Sequence, residues 1–444
     1  MPSTLRSAAP APRPFRALRA LPAVAAAALS LGAAPSAQAV DFGPFTLTGF
    51  IKAEAVRGSN QCPDCQRFPD ENRQREWADE LVVGTPYGTK TNVVTLAQPF
   101  LAARFDLPQG FKLRGLVSQR WRDGKVDIPG WWYEKNVAVE REDLGALRIG
   151  AMTTRAWSIA DYPFGSDIGL SDPWASSGAG YGLLGGAIRY TAPTLDVADG
   201  DLVLEVTYDD GPSGWKVNQP RFLEVWARYV RRDWKVDLIV QDTRNGMPVA
   251  WGHAPFAGIS PYASDDGKFG GSGQSIVSLM GTLQWNAQWS FQGGLRANRW
   301  SGAYAVITQA GPPALWNNMF NVDWGGTLDG VANPGYAARS VDMVAGAKWR
   351  EGPWSAHVGL THLGKASTDN PSERGQSNSA TLGAAGLSRD LGQGLQVYGL
   401  AGIVRYGKKG LAPLSMPSHS AFSNVDSRVA RSGNWIGLGA VYTH

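Results

Sequence analysis

Phe111-Lys112-Leu113-Arg114-Gly115-Leu116-Val117-Ser118-Gln119-Arg120-Trp121 decides the fold. Read with a period of two, one face carries Phe111, Leu113, Gly115, Val117 and Trp121. The other carries Lys112, Arg114, Ser118 and Arg120, and the apolar face has an aromatic residue at each end. Alternation is the mark of a strand, because successive side chains leave a strand on opposite sides. About ten residues is also the length of a tilted strand that crosses a bilayer.

The scheme recurs outward from there. Leu147, Ile149 and Ala151 oppose Arg148, Gly150 and Thr154. Trp234, Val236, Leu238 and Val240 oppose Lys235, Asp237 and Gln241. Val277, Leu279, Leu283 and Trp285 form another apolar set, and Trp354, Ala356, Val358 and Leu360 oppose Ser355, His357 and Thr361. A soluble sandwich would alternate as well. The connections and the tryptophans separate the two folds.

Short polar turns are expected at 106–110, 143–145, 193–200, 231–233, 286–288, 350–353 and 390–394. Longer connections are expected at 58–90, 123–130, 155–184, 210–220, 245–271, 302–337, 364–376 and 407–429. Seven short and eight longer connections imply sixteen strands, with turns on one rim and loops on the other. Trp121, Trp131, Trp132, Trp234, Trp285, Trp289, Trp349, Trp354 and Trp435 fall at segment ends, where indole rings meet lipid headgroups. The predicted fold is an all-β transmembrane antiparallel barrel. Closure is required, since an open sheet edge in lipid leaves backbone groups unpaired.

Composition narrows the classes. The chain has 444 residues with 18% charged and 18 tryptophans, which excludes a mostly disordered chain. A mean hydropathy of −0.21, with no long apolar run after residue 40, excludes a bundle of spanning helices. The first 39 residues carry Arg6, Arg13, Arg16 and Arg19 without an acid, then an apolar stretch from Leu21 to Leu31, then Ala37-Gln38-Ala39. This is the pattern of a secretory signal peptide cleaved before Val40, leaving residues 40–444 as one barrel. The segment's four arginines account for the whole basic excess, leaving 38 basic against 38 acidic residues. Net charge gives nucleic-acid binding no support. Cys62 and Cys65, in Cys-Pro-Asp-Cys, are expected to form a small disulfide loop in an exported chain.

Four stretches resemble the trimeric porins of Gram-negative outer membranes, especially the sixteen-stranded general diffusion type. Phe45-Thr46-Leu47-Thr48-Gly49-Phe50-Ile51-Lys52-Ala53 is similar to that family's first strand, with Thr48 for its Tyr and Lys52 for its Asp. Asp143 to Gly150 is similar to its Phe-Gly-x-Leu-x-Leu-Gly, and Ala187 to Pro193 to the strand after its constriction loop. Trp435 to His444 resembles its closing strand, with Tyr442 third from the end and His444 where the family has Phe.

The resemblance implies a water-filled channel for passive diffusion of small hydrophilic solutes and ions. It also implies a homotrimer in contact with outer-membrane lipid and lipopolysaccharide, with no cofactor and no enzymatic activity. In the family the third long loop folds into the barrel. Here it corresponds to Arg155 to Leu184, with acids Asp161, Asp167 and Asp172 facing a basic wall. Arg104, Lys112, Arg114, Arg120, Arg148 and Arg189 are inward by alternation and supply that wall. Opposed charges in a narrow pore create a transverse field that orients solutes. A solute-specific channel would instead use an aromatic track, for which Trp226 and Trp300 are inward by alternation. A secreted carbohydrate-binding protein would carry tryptophans mid-strand on flat faces.

Catalytic patterns are missing. No Gly-x-Ser-x-Gly or His-Glu-x-x-His occurs. Gly180-Tyr181-Gly182-Leu183-Leu184-Gly185 fits a dinucleotide fingerprint, but a β-like stretch follows where a helix is needed. His357 and His362 fall on opposite faces of a strand and cannot share a metal.

Overall fold

Alternation commits each segment to two different surroundings, and a closed barrel is the arrangement that provides both. The computed structural model describes residues 39–58, 90–122, 125–126, 133–158, 182–211, 214–248, 259–261, 271–302, 327–328, 331–332, 337–365, 367–368, 379–407 and 432–444. Its principal strands are β1 (Phe45–Gly58), β2 (Lys90–Asp106), β3 (Lys112–Ser118), β4 (Glu134–Arg141) and β5 (Gly145–Thr153). They continue with β6 (Leu183–Thr191), β7 (Gly200–Asp209), β8 (Arg221–Arg231), β9 (Trp234–Arg244), β10 (Ser272–Gln284) and β11 (Trp289–Gly302). The last five are β12 (Ala338–Glu351), β13 (Trp354–Leu363), β14 (Ala380–Asp390), β15 (Leu395–Tyr406) and β16 (Ser432–Thr443).

Each strand pairs antiparallel with the next, from β1–β2 to β15–β16. β16 then pairs with β1, setting Val441 opposite Lys52 and Trp435 opposite Gly58. At the junction Gly49 and His444 exchange backbone hydrogen bonds of 3.0 and 2.8 Å. The sixteen-stranded ring therefore has no free edge.

The seven short connections span 107–111, 142–144, 192–199, 232–233, 285–288, 352–353 and 391–394, and all lie on one rim. Their chemistry is local. Arg232 and Gly352 take positive φ in the two-residue hairpins, as the twist of paired strands requires. The Asn286 side chain accepts hydrogen bonds from the Gln288 and Trp289 backbones at 2.9 and 2.8 Å.

The barrel is apolar outside. Val137, Val139, Leu147, Ile149, Ile188, Val206, Leu238, Val240, Leu279 and Leu295 are exposed on the outer surface. Their inward neighbours Glu205, Thr207, Glu224, Gln241 and Thr243 are buried. This inside-out pattern suits lipid outside and water or packed side chains within. Among the described residues no helix is long and apolar enough to cross a membrane.

Exposed Trp234, Trp285, Trp289 and Trp354 cluster near the rim of short turns, joined by Phe45 edge-on to Phe105 with ring centroids 6.1 Å apart. Trp435 departs from the girdle expected of it. It points inward from β16, buried against Gly402 of β15, because that glycine leaves room for the ring. The run from Phe111 to Trp121 also departs from one continuous strand. Pairing stops after Ser118 and resumes at Trp121–Arg122.

Candidate functional site

β5 carries the irregularity that shapes the interior. Its register against β6 shifts between Gly150 and Met152. Gly150 has φ 128°, and a Cβ there would lie 2.4 Å from the Lys135 carbonyl oxygen. A bulge re-aims the residues after it. The simple alternation expected beyond Gly150 fails, and Ala151, Met152, Thr153 and Thr154 are all buried. The chain then turns inward into a four-residue helix, Arg155–Ser158.

Arg155 is held from three directions. Its backbone N–H donates to Glu224 Oε1 at 2.8 Å, and its Nε donates to Glu205 Oε1 at 2.5 Å. Its Nη2 pairs with Glu205 Oε2, and its guanidinium lies 4.5 Å from the centre of the Trp226 ring. Glu205 also receives Thr191 Oγ1 at 2.8 Å and faces Arg189 Nε at 3.1 Å. Arg189 donates to Thr207 Oγ1 at 2.8 Å and to the Thr153 carbonyl at 2.7 Å. Glu224 accepts from Gln241 Nε2 at 2.6 Å. Asp237 Oδ1 accepts from both Trp226 Nε1 and Arg228 Nε at 2.8 Å, with Arg228 4.9 Å from the same indole ring. Two chain segments 50 to 69 residues apart in sequence are thus tied at the root of the 155–184 connection. Buried carboxylates held by bidentate arginines are expensive to break and fix geometry.

Cross-strand register places the basic residues singled out by alternation. Arg104 sits opposite Arg114, Arg114 opposite Ala138, Ala138 opposite Arg148, and Arg148 opposite Arg189. These four arginines share one row on β2, β3, β5 and β6. Lys112 lies one inward position away, between Asp106 and Glu140. Arg120 is buried just beyond the other end of β3, apart from the row. Arg114 pairs with Glu140 at 2.7 Å and Arg104 approaches Asp106 at 3.9 Å. Asp161, Asp167, Asp172, Cys62 and Cys65 lie outside the described residues, as does the Trp300 side chain.

Alternation applied only to basic residues missed Arg155, Glu205, Glu224, Arg228 and Asp237. The signal for four of them was present. Glu205-Val-Thr207-Tyr-Asp209, Glu224-Val-Trp226-Ala-Arg228 and Lys235-Val-Asp237-Leu place their charged residues two apart, so in a lipid-spanning strand those charges must face inward. Arg155 had no such signal, since the bulge governs it.

The interior changes character further round. Leu363, Ala380, Leu382, Ala384, Leu400, Val404 and Trp435 form a buried apolar cluster with Val56 and Val344. A polar clasp crosses it, where Tyr398 Oη donates to Glu54 Oε2 at 2.6 Å and Lys52 Nζ lies 3.8 Å from the same oxygen. A second sits on β11 and β12, where Asp342 Oδ2 accepts from Arg296 Nη2 and Asn298 Nδ2, each at 2.8 Å. Among the described residues no group of His, Cys, Asp and Glu could hold a metal ion. Glu205, Glu224 and Asp237 at the centre each lie within 4.0 Å of an arginine nitrogen. Gly182, the first described residue of the glycine motif, leads into strand β6, so among the described residues a strand and not a helix follows it.

No protein-family model and no curated relative matches the chain. Solved structures do match. The anion-selective porin from Comamonas acidovorans is similar over 90% of this chain and 99% of that one, at 11% identity and a TM-score of 0.57. OmpT of Vibrio cholerae in its trimer form is similar over 90% and 99%, at 11% identity and 0.53. The outer membrane channel DcaP of Acinetobacter baumannii is similar over 90% and 97%, at 10% identity and 0.52. The chain has the sixteen-stranded porin fold.

Proposed function

We propose that this chain forms a water-filled channel through a Gram-negative outer membrane, for passive diffusion of small hydrophilic solutes and ions. The observation that carries this is the closed barrel with an apolar outside and a charged inside, the converse of a soluble protein. Residues 1–39 direct export as a signal peptide, and residues 40–444 are the barrel. The trimer form reported for the Vibrio OmpT barrel supports a homotrimer with one pore in each protomer. Cys62 and Cys65 form a disulfide within the first long loop. Asp161, Asp167 and Asp172 face the arginine row across the lumen. The activity is transport without chemistry.

A sugar-specific channel is disfavoured by Trp226, which is buried beneath two guanidiniums and offers no open stacking face. A secreted carbohydrate binder is disfavoured by the outward tryptophans, which lie at strand ends. Planar-bilayer recording on detergent-purified mature protein tests the channel. Stepwise conductance, with insertions in threes, is expected. Silence from protein shown to be folded and embedded in lipid overturns it.

A further inference from the structure

Indole rings suit the rims of a membrane barrel, yet Trp226 faces the lumen from the middle of β8 and is only 7% exposed. Asp237 holds it from β9. The buried Asp237 Oδ1 accepts from Trp226 Nε1 and from Arg228 Nε, each at 2.8 Å. Two guanidiniums rest against the ring, Arg155 at 4.5 Å and Arg228 at 4.9 Å from its centre. The strand pairing does not call for a ring here, since the residues directly opposite are Glu205 on β7 and Ile239 on β9.

Arg155 supplies the reason. The chain leaves β5 through a closed neck, where Thr154 N–H donates to the Gly182 carbonyl at 2.9 Å and Gly182 N–H donates to Thr154 Oγ1 at 3.3 Å. The helical turn Arg155–Ser158 then leans across β6, because Arg155 is bound on β7 and β8. Those strands are two and three places from β5, roughly 10–14 Å along the wall at about 4.8 Å per strand. The guanidinium is fixed in two ways. Its fork meets Glu205, which settles its position along the wall, and it stands over the Trp226 ring, which settles its height above the wall. Glu224, two residues before Trp226, takes the Arg155 backbone N–H at 2.8 Å. Successive inward positions of β8 thus offer an acceptor for the chain, a platform for its side chain and, in Arg228, a second donor to the acid that locks the platform.

Resting on the channel function proposed above, we propose that Trp226 and Asp237 are positioning residues for conduction. Trp226 sets how far the turn at Arg155–Ser158 stands off the wall of β7 to β9, and Asp237 fixes the ring. The width of the lumen beside this turn, and the constancy of that width, follow from the pair. Neither residue touches the solute, since Trp226 has almost no exposed surface and Asp237 has none. Without the ring, Arg155 keeps its fork on Glu205 but loses the surface that holds it away from β8. The turn then settles toward the wall and rocks about the fork.

Single-channel recording in planar bilayers, with neutral polyethylene glycols of graded size in potassium chloride, tests this on the full mature protein. The parent should show one narrow conductance level and a sharp polymer cut-off. Trp226→Ala should move the cut-off to larger polymers and break the single level into several. Trp226→Phe, which keeps a ring under Arg155, should restore the parent cut-off. Asp237→Ala, with the ring present but unheld, should lose the single level. Tyr398→Phe is the control, because it removes a buried hydrogen bond from the opposite wall and should leave both readings as in the parent. A purely structural role for Trp226 would lower stability without moving the cut-off. An unmoved cut-off in folded Trp226→Ala, one that Trp226→Phe fails to restore, or an equal shift in Tyr398→Phe overturns the assignment of Trp226. A parent-like level in Asp237→Ala overturns that of Asp237. Where Trp226→Ala does not fold, Arg155→Lys carries the test, since it keeps the charge but gives up the fork over the ring. No conductance at all from folded parent protein overturns the channel itself.

Discussion

The inner wall from β3 to β9 and the inner wall from β13 through β16 to β1 share strands, tilt and pairing, yet they are built from opposite materials. The first is a lattice of arginines and carboxylates tied at 2.5 to 3.1 Å. The second is mainly aliphatic, aromatic and glycine-rich, with Trp435 laid over Gly402 and Tyr398 over Gly439, and its buried charges reduce to Lys52 and Glu54 on β1 among the described residues. The difference teaches that a barrel interior need not be uniform. One side offers charge to the lumen and fixes the root of the 155–184 connection. The other packs the seam where the last strand meets the first.

Removing Glu205 should do the most damage. Glu205→Ala leaves Arg155 and Arg189 without their shared carboxylate, and breaking a buried pair this way costs about 3–5 kcal/mol. Unfolding by urea in lipid vesicles, followed by tryptophan fluorescence, measures it. Loss under 1 kcal/mol would mean that the lattice is ornamental and that the two walls differ less than they look.

Next comes the seam. A Cβ at Gly402 would fall 2.1 Å from the Trp435 ring. Gly402→Ala should cost about 1–3 kcal/mol through overpacking, read as loss of the heat-modifiable folded band on a gel. Trp435→Leu in the same chain should restore folding. Permeability ratios of any folded Gly402→Ala channels should match the parent, which sharpens the division of labour between the walls. Tyr398→Phe should follow at about 1–2 kcal/mol, since Glu54 loses a hydrogen bond that reaches across β16. It too should leave ion preference unmoved.

The two walls also differed in how far the sequence revealed them. Strand count and connection lengths were legible because period-two alternation persists through β3, β9 and β13, and turn residues such as Asn286 and Gly352 act locally. On the charged wall, Arg104, Arg114, Arg148 and Arg189 could be placed on one face by counting in twos. Their common row could not, because register between strands depends on bulges and loop lengths. The Gly150 bulge shows the limit: it turns Arg155 inward, and no periodicity predicts where a strand will gain a residue. On β14 of the apolar wall the method fails. Gly383, Ala385 and Leu387 alternate with Leu382, Ala384 and Gly386, so both faces of β14 look alike. Trp435, expected at the lipid boundary, proved to be a packing residue for the same reason.

The smallest effect lies outside both walls and calibrates them. Arg141, the last residue of β4, and Asp143, in the turn after it, form the same kind of forked pair as Arg155 and Glu205, at 2.6 and 2.9 Å, but nearer water, with side chains 30% and 66% exposed. The hydrogen bonds from Arg141 hold the Asp143 carboxyl below the usual aspartate range, outweighing the slight desolvation that opposes them. A carboxyl whose pKa is depressed on folding adds stability above its unfolded value and loses it as the pH falls through the folded value. A carbon-13 titration of Asp143 should therefore show a midpoint lower than that of a free aspartate, returning toward it in Arg141→Gln. Global stability should scarcely change, because exposed pairs are screened and entropically costly. If Arg141→Gln destabilised the barrel as much as Glu205→Ala, burial would not be what distinguishes the inner lattice from an ordinary surface pair.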